Sequence, residues 1–332
     1  MLNRRTFGIL PDGTAVDAIA LGGDGGLEVN VLTYGCIITS LRSRDRAGVS
    51  ANLVLGFDRL EPYLDSSPYF GAVVGRCANR IANARFSIDG RAHQVSPNEP
   101  PHHLHGGFLG FDKRVWEAEA AGNGTAVVFR RRSPDGEEGY PGTLDAQVTC
   151  VLADGGLRIE YEAIADAPTH VNLTQHSYFN LRGHGDVLDH SLAIDASTYL
   201  PVDERLVPTG ELAPVADTPF DFQEPTAIGL RLRADHPQLA RAGGYDHNFN
   251  LNRAGPELAL AARVREPSSG RTLEVRTTEP GLQFYSGQVV GHRGFCLEPQ
   301  HYPDSPNRPE FPSTLLRPGE RYRSATEYVV GW

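Results

Sequence analysis

Five segments of this chain gather histidine, acid, amide and arginine among aromatic residues: Gly75–Ile81, His102–Gly107, His170–Leu181, Gly244–Asn248 and Leu297–Asp304. Side chains of these types can move protons or hold a polar ligand. Imidazole titrates near neutral pH, a carboxylate serves as a base or accepts hydrogen bonds from hydroxyls, and guanidinium donates in a fixed fork. Glu298 follows the apolar Gly294–Leu297 run and precedes Pro299, so it either caps backbone donors or faces a pocket. His176 sits among Val171, Leu173, Tyr178, Phe179 and Leu181, which suits a hydrogen-bonded core histidine as well as a catalytic one. Arg80 and Asp246 fit a plain ion pair or a pair of ligand contacts.

The histidines at 102, 103 and 105 invite a metal site. Adjacent residues of an extended chain point to opposite faces, however, and neither acid nor cysteine stands at ligand spacing, whereas catalytic zinc wants three convergent ligands. What remains is a solvated loop or a ligand-binding role for His105, and Gly106–Gly107 favours the latter by allowing close backbone approach. No metal is expected. The glycine cluster at 22–26 resembles a phosphate loop only superficially: no helix follows it and Asp24 sits in its middle.

The elements that must carry these residues read as strands. Leu27, Val29 and Val31 alternate with Glu28 and Asn30; Leu157, Ile159, Tyr161 and Ala163 alternate with Arg158, Glu160 and Glu162; Leu273 and Val275 alternate with Thr272, Glu274 and Arg276. Period-two alternation marks strands with one wet face. Asp89–Gly90 between Arg85–Ile88 and Arg91–Val95 is a hairpin cue, and Pro134–Gly136, Asp154–Gly156 and Pro267–Gly270 mark further turns. Short helices are expected only near Asp58–Leu64 and Pro237–Ala242. With 36 Gly and 24 Pro spread along 332 residues, an all-β chain is expected: a large antiparallel β-sandwich forming a single domain over 1–332.

Composition narrows the partners. A net charge of −10, with Lys113 the sole lysine, argues against a nucleic-acid surface, which needs a basic face. No apolar stretch approaches the ~20 residues of a membrane span, and the N-terminus lacks the apolar run of a signal peptide, so the cytoplasm is expected. Cys36, Cys77, Cys150 and Cys296 fit neither a zinc site nor a disulfide framework and read as buried thiols, mostly in strands.

In this order, Asn79–Ile81, Leu104–Gly107, Asn172–Leu181, Gly244–Asn248 and Leu297–Gln300 resemble the aldose 1-epimerase (galactose mutarotase) family, with smaller echoes at Gly136–Gly142, Gly281–Gly287 and Tyr302–Asp304. The likeness runs from about residue 20 to the C-terminus. It implies a galactose mutarotase-like supersandwich with a cleft open on one sheet, acting on free aldoses such as galactose and glucose without a metal or organic cofactor, as a monomer or weak homodimer. Carried over by position, Glu298 is the catalytic base and His176 the acid, while Asn79, Arg80, His105, Ser177, Tyr178, Asp246 and Gln283 bind the sugar. Pro299 stands where many members have Thr. On ordinary values the base starts ionised and the acid partly protonated, so only modest tuning is expected.

Three other readings compete. A hexose-6-phosphate epimerase needs basic residues near the cleft, and Arg130–Arg132 is the concentrated candidate. A non-catalytic sugar-binding module would lack the acid or the base. A glycosidase would use Glu298 and Asp246 as its two carboxylates, but His176 speaks against it.

Overall fold

Alternation in the sequence becomes alternation in burial. Along Gly156–Ala165, Leu157, Ile159, Tyr161 and Ala163 are buried while Arg158, Glu160 and Glu162 are half-buried between them. Leu144–Ala153 repeats the pattern beside it. The structure, a computed structural model, describes residues 3–22, 26–65, 67–153, 155–253 and 255–332. Most of the glycine cluster at 22–26 (residues 23–25), and Asp154 of the 154–156 turn, lie outside the described residues.

Among the described residues, three larger antiparallel sheets form. A nine-stranded sheet runs Glu117–Ala121, Ala126–Ser133, Leu144–Ala153, Gly156–Ala165, Tyr322–Gly331, Thr272–Thr277, Ala259–Arg265, Ser191–Ile194, Thr226–Ala227. A six-stranded sheet runs Tyr178–Phe179, Phe295–Gln300, Gly281–Tyr285, Asp246–Leu251, Ala196–Tyr199, Ala213–Pro214. The first five strands, Asn3–Ile9 through Ser50–Asn52, make a sequential meander. Asp89–Gly90 closes the Arg85–Ile88/Arg91–Gln94 hairpin as expected. The helices are short, Glu61–Asp65 and Pro237–Ala242; the first begins three residues later than the apolar pattern at 58–64 suggested.

The nine- and six-stranded sheets pack face to face. Ile159, Tyr161, Val148, Val275 and Tyr328 of one share a single apolar cluster with Phe249, Leu282, Phe284, Phe295 and Leu297 of the other. Phe179 and Tyr328 meet across the interface at 5.1 Å between ring centroids. Each such side chain contributes roughly 1.5–3 kcal/mol by leaving water, so this shared layer dominates the stability of the sandwich. The four cysteines are free and buried. Cys150 and Cys296 lie in strands, whereas Cys36 and Cys77 sit in connecting segments, where side chains still fill the core. No helix among the described residues is long and apolar enough to cross a membrane.

Candidate active site

The inner face of the six-stranded sheet is apolar, so the period-two rule sends the residues between to its other face. Phe295, Leu297, Leu282, Phe284 and Phe249 point into the core. Cys296, Glu298, Gln283, Tyr285, Asp246 and Asn248 must therefore share the opposite face. Register aligns them in two cross-strand rows. Glu298 lies opposite Gln283, and Gln283 opposite Asn248; Tyr178 lies opposite Cys296, Cys296 opposite Tyr285, and Tyr285 opposite Asp246. His247, one residue out of phase, is turned into the interior and pairs with Gln238 at 3.1 Å.

His176 comes from beside this sheet, just after the short strand Thr174–Gln175. Its backbone is pinned on both sides, its N–H donating to Ala72 and its carbonyl accepting from Gly71. The imidazole stacks between Tyr69 and Tyr178, at 5.7 and 5.2 Å with interplanar angles of 22° and 19°. Its Nε2 stands 3.6 Å from Glu298 Oε2, and that oxygen has no hydrogen-bond partner.

A two-residue ribbon, Arg80–Ile81 against His103–Leu104, delivers the third group. Asn79 and His105 are reciprocally bonded: the His105 N–H donates to the Asn79 carbonyl, and the Asn79 N–H donates to His105 Nδ1 at 3.1 Å. Both residues hold φ in the left-handed region, 59° and 49°, a conformation costing roughly 1–2 kcal/mol per residue. Because a backbone N–H must donate, Nδ1 is an acceptor and a neutral His105 carries its hydrogen on Nε2. His105, His176 and Glu298 bring one ligand atom each within 4.8 Å of the others. Yet a metal-binding imidazole normally donates its second nitrogen's hydrogen outward, and His105 does the reverse. Its Nε2–H is left as a donor.

Arg80 is gripped by a residue the sequence did not single out. Its Nε and Nη2 bond the two oxygens of Glu99 at 2.6 and 2.8 Å, which leaves Nη1 facing Asp246 at 3.9 Å. Gln283 Nε2 donates to the other Asp246 oxygen at 2.7 Å. Asp246 is thus held from two sides above the sheet.

Burial sets the electrostatics. It pushes Glu298 well above the usual carboxylate range, reinforced by the charge of Asp246 and opposed by Arg80. Asp246 is also raised by burial, against the pull of Arg80 and Gln283. Burial lowers His176 to about 4 and, with the neighbouring His176 and Arg80, drives His105 well below its normal value. The expectation of modest tuning is therefore corrected. An interior site penalises every charge, and both members of the expected acid–base pair shift toward their neutral forms.

The structure brings together His176, Glu298, Asn79, Arg80, His105, Tyr178, Asp246 and Gln283. Ser177 is buried between His176 and Tyr178 with its hydroxyl unpartnered. His103 turns away to Tyr140 and the Ser96 carbonyl, and His102 accepts from the Asn83 N–H. The glycine pair serves a different purpose from the one expected: a Cβ at Gly106 would collide with the Gly75 carbonyl, and one at Gly107 with the Glu138 carboxylate. Their close approach is to the protein itself. Arg130, Arg131 and Arg132 are each paired with an acid, Glu119, Glu137 and Asp145, so this run offers no free phosphate clamp. Tyr69, Glu99 and Cys296 were missed. Tyr69 and Glu99 lie outside the polar clusters, and Cys296 resembles an ordinary core thiol.

Known proteins share this arrangement at the level of the whole chain. The profile of the aldose 1-epimerase family matches residues 17–329. The galactose mutarotase of Rattus norvegicus is 48% identical over 341 residues, covering 98% of this chain and 97% of the rat protein. The aldose 1-epimerase of Escherichia coli K12 is 40% identical, covering 99% of both. The galactose 1-epimerase structure from Lactobacillus acidophilus superposes with a TM-score of 0.89 at 29% identity, over 100% of this chain and 98% of that one. A match of this identity along nearly the full length leaves one assignment: the chain belongs to the aldose 1-epimerase family.

Proposed function

We propose that His176 and Glu298 are the acid and base with which this aldose 1-epimerase interconverts the α and β anomers of free aldoses, galactose and glucose among them. The observation that carries the reading is the 3.6 Å approach of His176 Nε2 to an unpartnered Glu298 oxygen, on a sheet face otherwise lined with hydroxyl-binding groups. Ring opening removes the proton from the C1 hydroxyl and adds one to the ring oxygen as the C1–O bond breaks. The aldehyde turns about C1–C2, and the steps reverse on its other face. Glu298 takes the first proton and His176 supplies the second; on closure they exchange tasks.

A single shared proton suits both directions. Whether the pair is Glu⁻/HisH⁺ or GluH/His, it holds one acid and one base. Burial favours the uncharged arrangement, while attraction across 3.6 Å favours the charged one by about 4.6 kcal/mol at an effective dielectric near 20. That is about three pKa units, comparable with a strong burial shift, so the two arrangements lie close in energy. Each positioned group contributes roughly 10²–10⁴-fold. Asp246, Gln283 and Arg80 would hold ring hydroxyls, and the Nε2–H of His105 would donate near the ring oxygen.

Polarimetry tests this directly. Fresh α-D-galactose and α-D-glucose should relax to their usual final rotation faster with the protein than without it, and Glu298→Gln and His176→Asn should each abolish the acceleration. A Glu298→Gln enzyme with full turnover would remove the carboxylate from the mechanism.

A further inference from the structure

Stacking between Tyr69 and Tyr178 sets the plane of the His176 ring. A half-turn within that plane would exchange its nitrogens for carbons, and stacking does not distinguish the two. The edges do. Glu298 Oε2 faces Nε2 at 3.6 Å, and Cys296 Sγ faces Nδ1 at 3.6 Å. Cys296 and Glu298 are two apart on one strand and share its cleft face, so one strand addresses both nitrogens.

We propose that Cys296 is a positioning residue for the acid: its sulfur accepts the Nδ1 hydrogen of His176, keeping that hydrogen in place so that Nε2 alone exchanges a proton with the sugar. The proposal rests on His176 being the acid. Sulfur fits the task because it is a weak acceptor. A carboxylate at this point would bind the imidazolium tightly and hold the ring charged, whereas a thiol orients the ring and leaves its proton easy to release. The thiol itself is completely buried, and burial, with Glu298 and Asp246 nearby, raises its pKa well above the usual value, so it remains neutral. The Glu298 oxygen on the far edge has no protein partner, which leaves the Nε2 side open for the substrate. Cys296 thus acts on the sugar only through His176.

The test combines Cys296→Ala, Cys296→Ser and Cys296→Val with ¹⁵N-histidine NMR and polarimetric kinetics. The parent enzyme's neutral His176 should carry its hydrogen on Nδ1, and Cys296→Val should shift it toward Nε2. An ordinary hydrogen bond corresponds to about a tenfold effect, so kcat should fall about tenfold in the Ala and Val variants with KM within about twofold. Cys296→Ser should recover most of the loss, since its hydroxyl can accept. A packing role alone predicts the opposite order, with the volume-matched Val active and Ser impaired, and that order would overturn the proposal. So would a parent ring protonated on Nε2. The tautomer is read without turnover, so a parent protein that failed to speed mutarotation would count against the functional reading and leave this result standing.

Discussion

Glu99→Gln isolates the grip on Arg80 from the chemistry. The wild-type fork makes two charge-assisted bonds at 2.6 and 2.8 Å, from a guanidinium only 10% exposed to a carboxylate 37% exposed. Such bonds are worth about 1.5–3 kcal/mol, and partial exposure of Glu99 reduces this to about 1–2 kcal/mol. Glutamine keeps the length but loses the charge and one acceptor. Arg80 should then turn toward Asp246, now 3.9 Å away, and occupy the carboxylate that would otherwise accept sugar hydroxyls. At 1.4 kcal/mol per tenfold, KM should rise about 5–30-fold. Glu99 bonds Arg80 and not the acid–base pair, so kcat should stay within about threefold. Initial polarimetric rates over a range of galactose concentrations separate the two parameters. A fall in kcat at constant KM would refute the assignment of Arg80 to ground-state binding, and no change in either would show the fork to be idle.

Two further outcomes follow from the same geometry. Because burial lowers His176 to about 4, the acid limb of kcat/KM should fall near pH 4: below that value both members of the pair are protonated and no base remains. An acid limb near pH 6.5 would indicate a solvent-exposed imidazole. Gly106→Ala should lower unfolding free energy by about 1–3 kcal/mol in chemical denaturation, since φ is 89° and a Cβ would strike the Gly75 carbonyl; it should also impair turnover by displacing His105, and unchanged stability would show that the turn relaxes freely.

Alternation made the sheet faces legible before any coordinates. The burial of Tyr161 against the wet face of Glu160 follows from period two alone, whereas the apolar Gly294–Leu297 run leaves Glu298 either capping backbone donors or facing a pocket. Which strands stand side by side does not follow. The pairing of Tyr178 with Cys296, and of Gln283 with both Asn248 and Glu298, joins residues more than a hundred positions apart in the first case and no local pattern encodes it. Strands of two residues, such as Arg80–Ile81 and His103–Leu104, are too short to show a period at all. Glu99 precedes two prolines in a plain loop sequence, and only the fold reveals that its carboxylate ends on Arg80. The ionisation of the pair was misjudged for a related reason: reference pKa values describe side chains in water, and depth of burial is a property of the assembled sandwich.

The rows across the six-stranded sheet have a consequence for how the enzyme can change. Its residues take turns, one facing the sandwich core and the next facing outward beside His176 and Glu298, so a substitution at Gln283 or Asn248 alters the proposed sugar-binding face while Leu282 and Phe249 go on holding the layers together. Effects on stability and on sugar preference should therefore be largely additive when the two faces are varied separately. Variant libraries confined to the outward positions can search for new aldose specificities with little loss of folded protein. A one-residue insertion within Phe295–Gln300 would have the opposite character: downstream of it every outward residue would turn inward, and catalysis and fold would fail together.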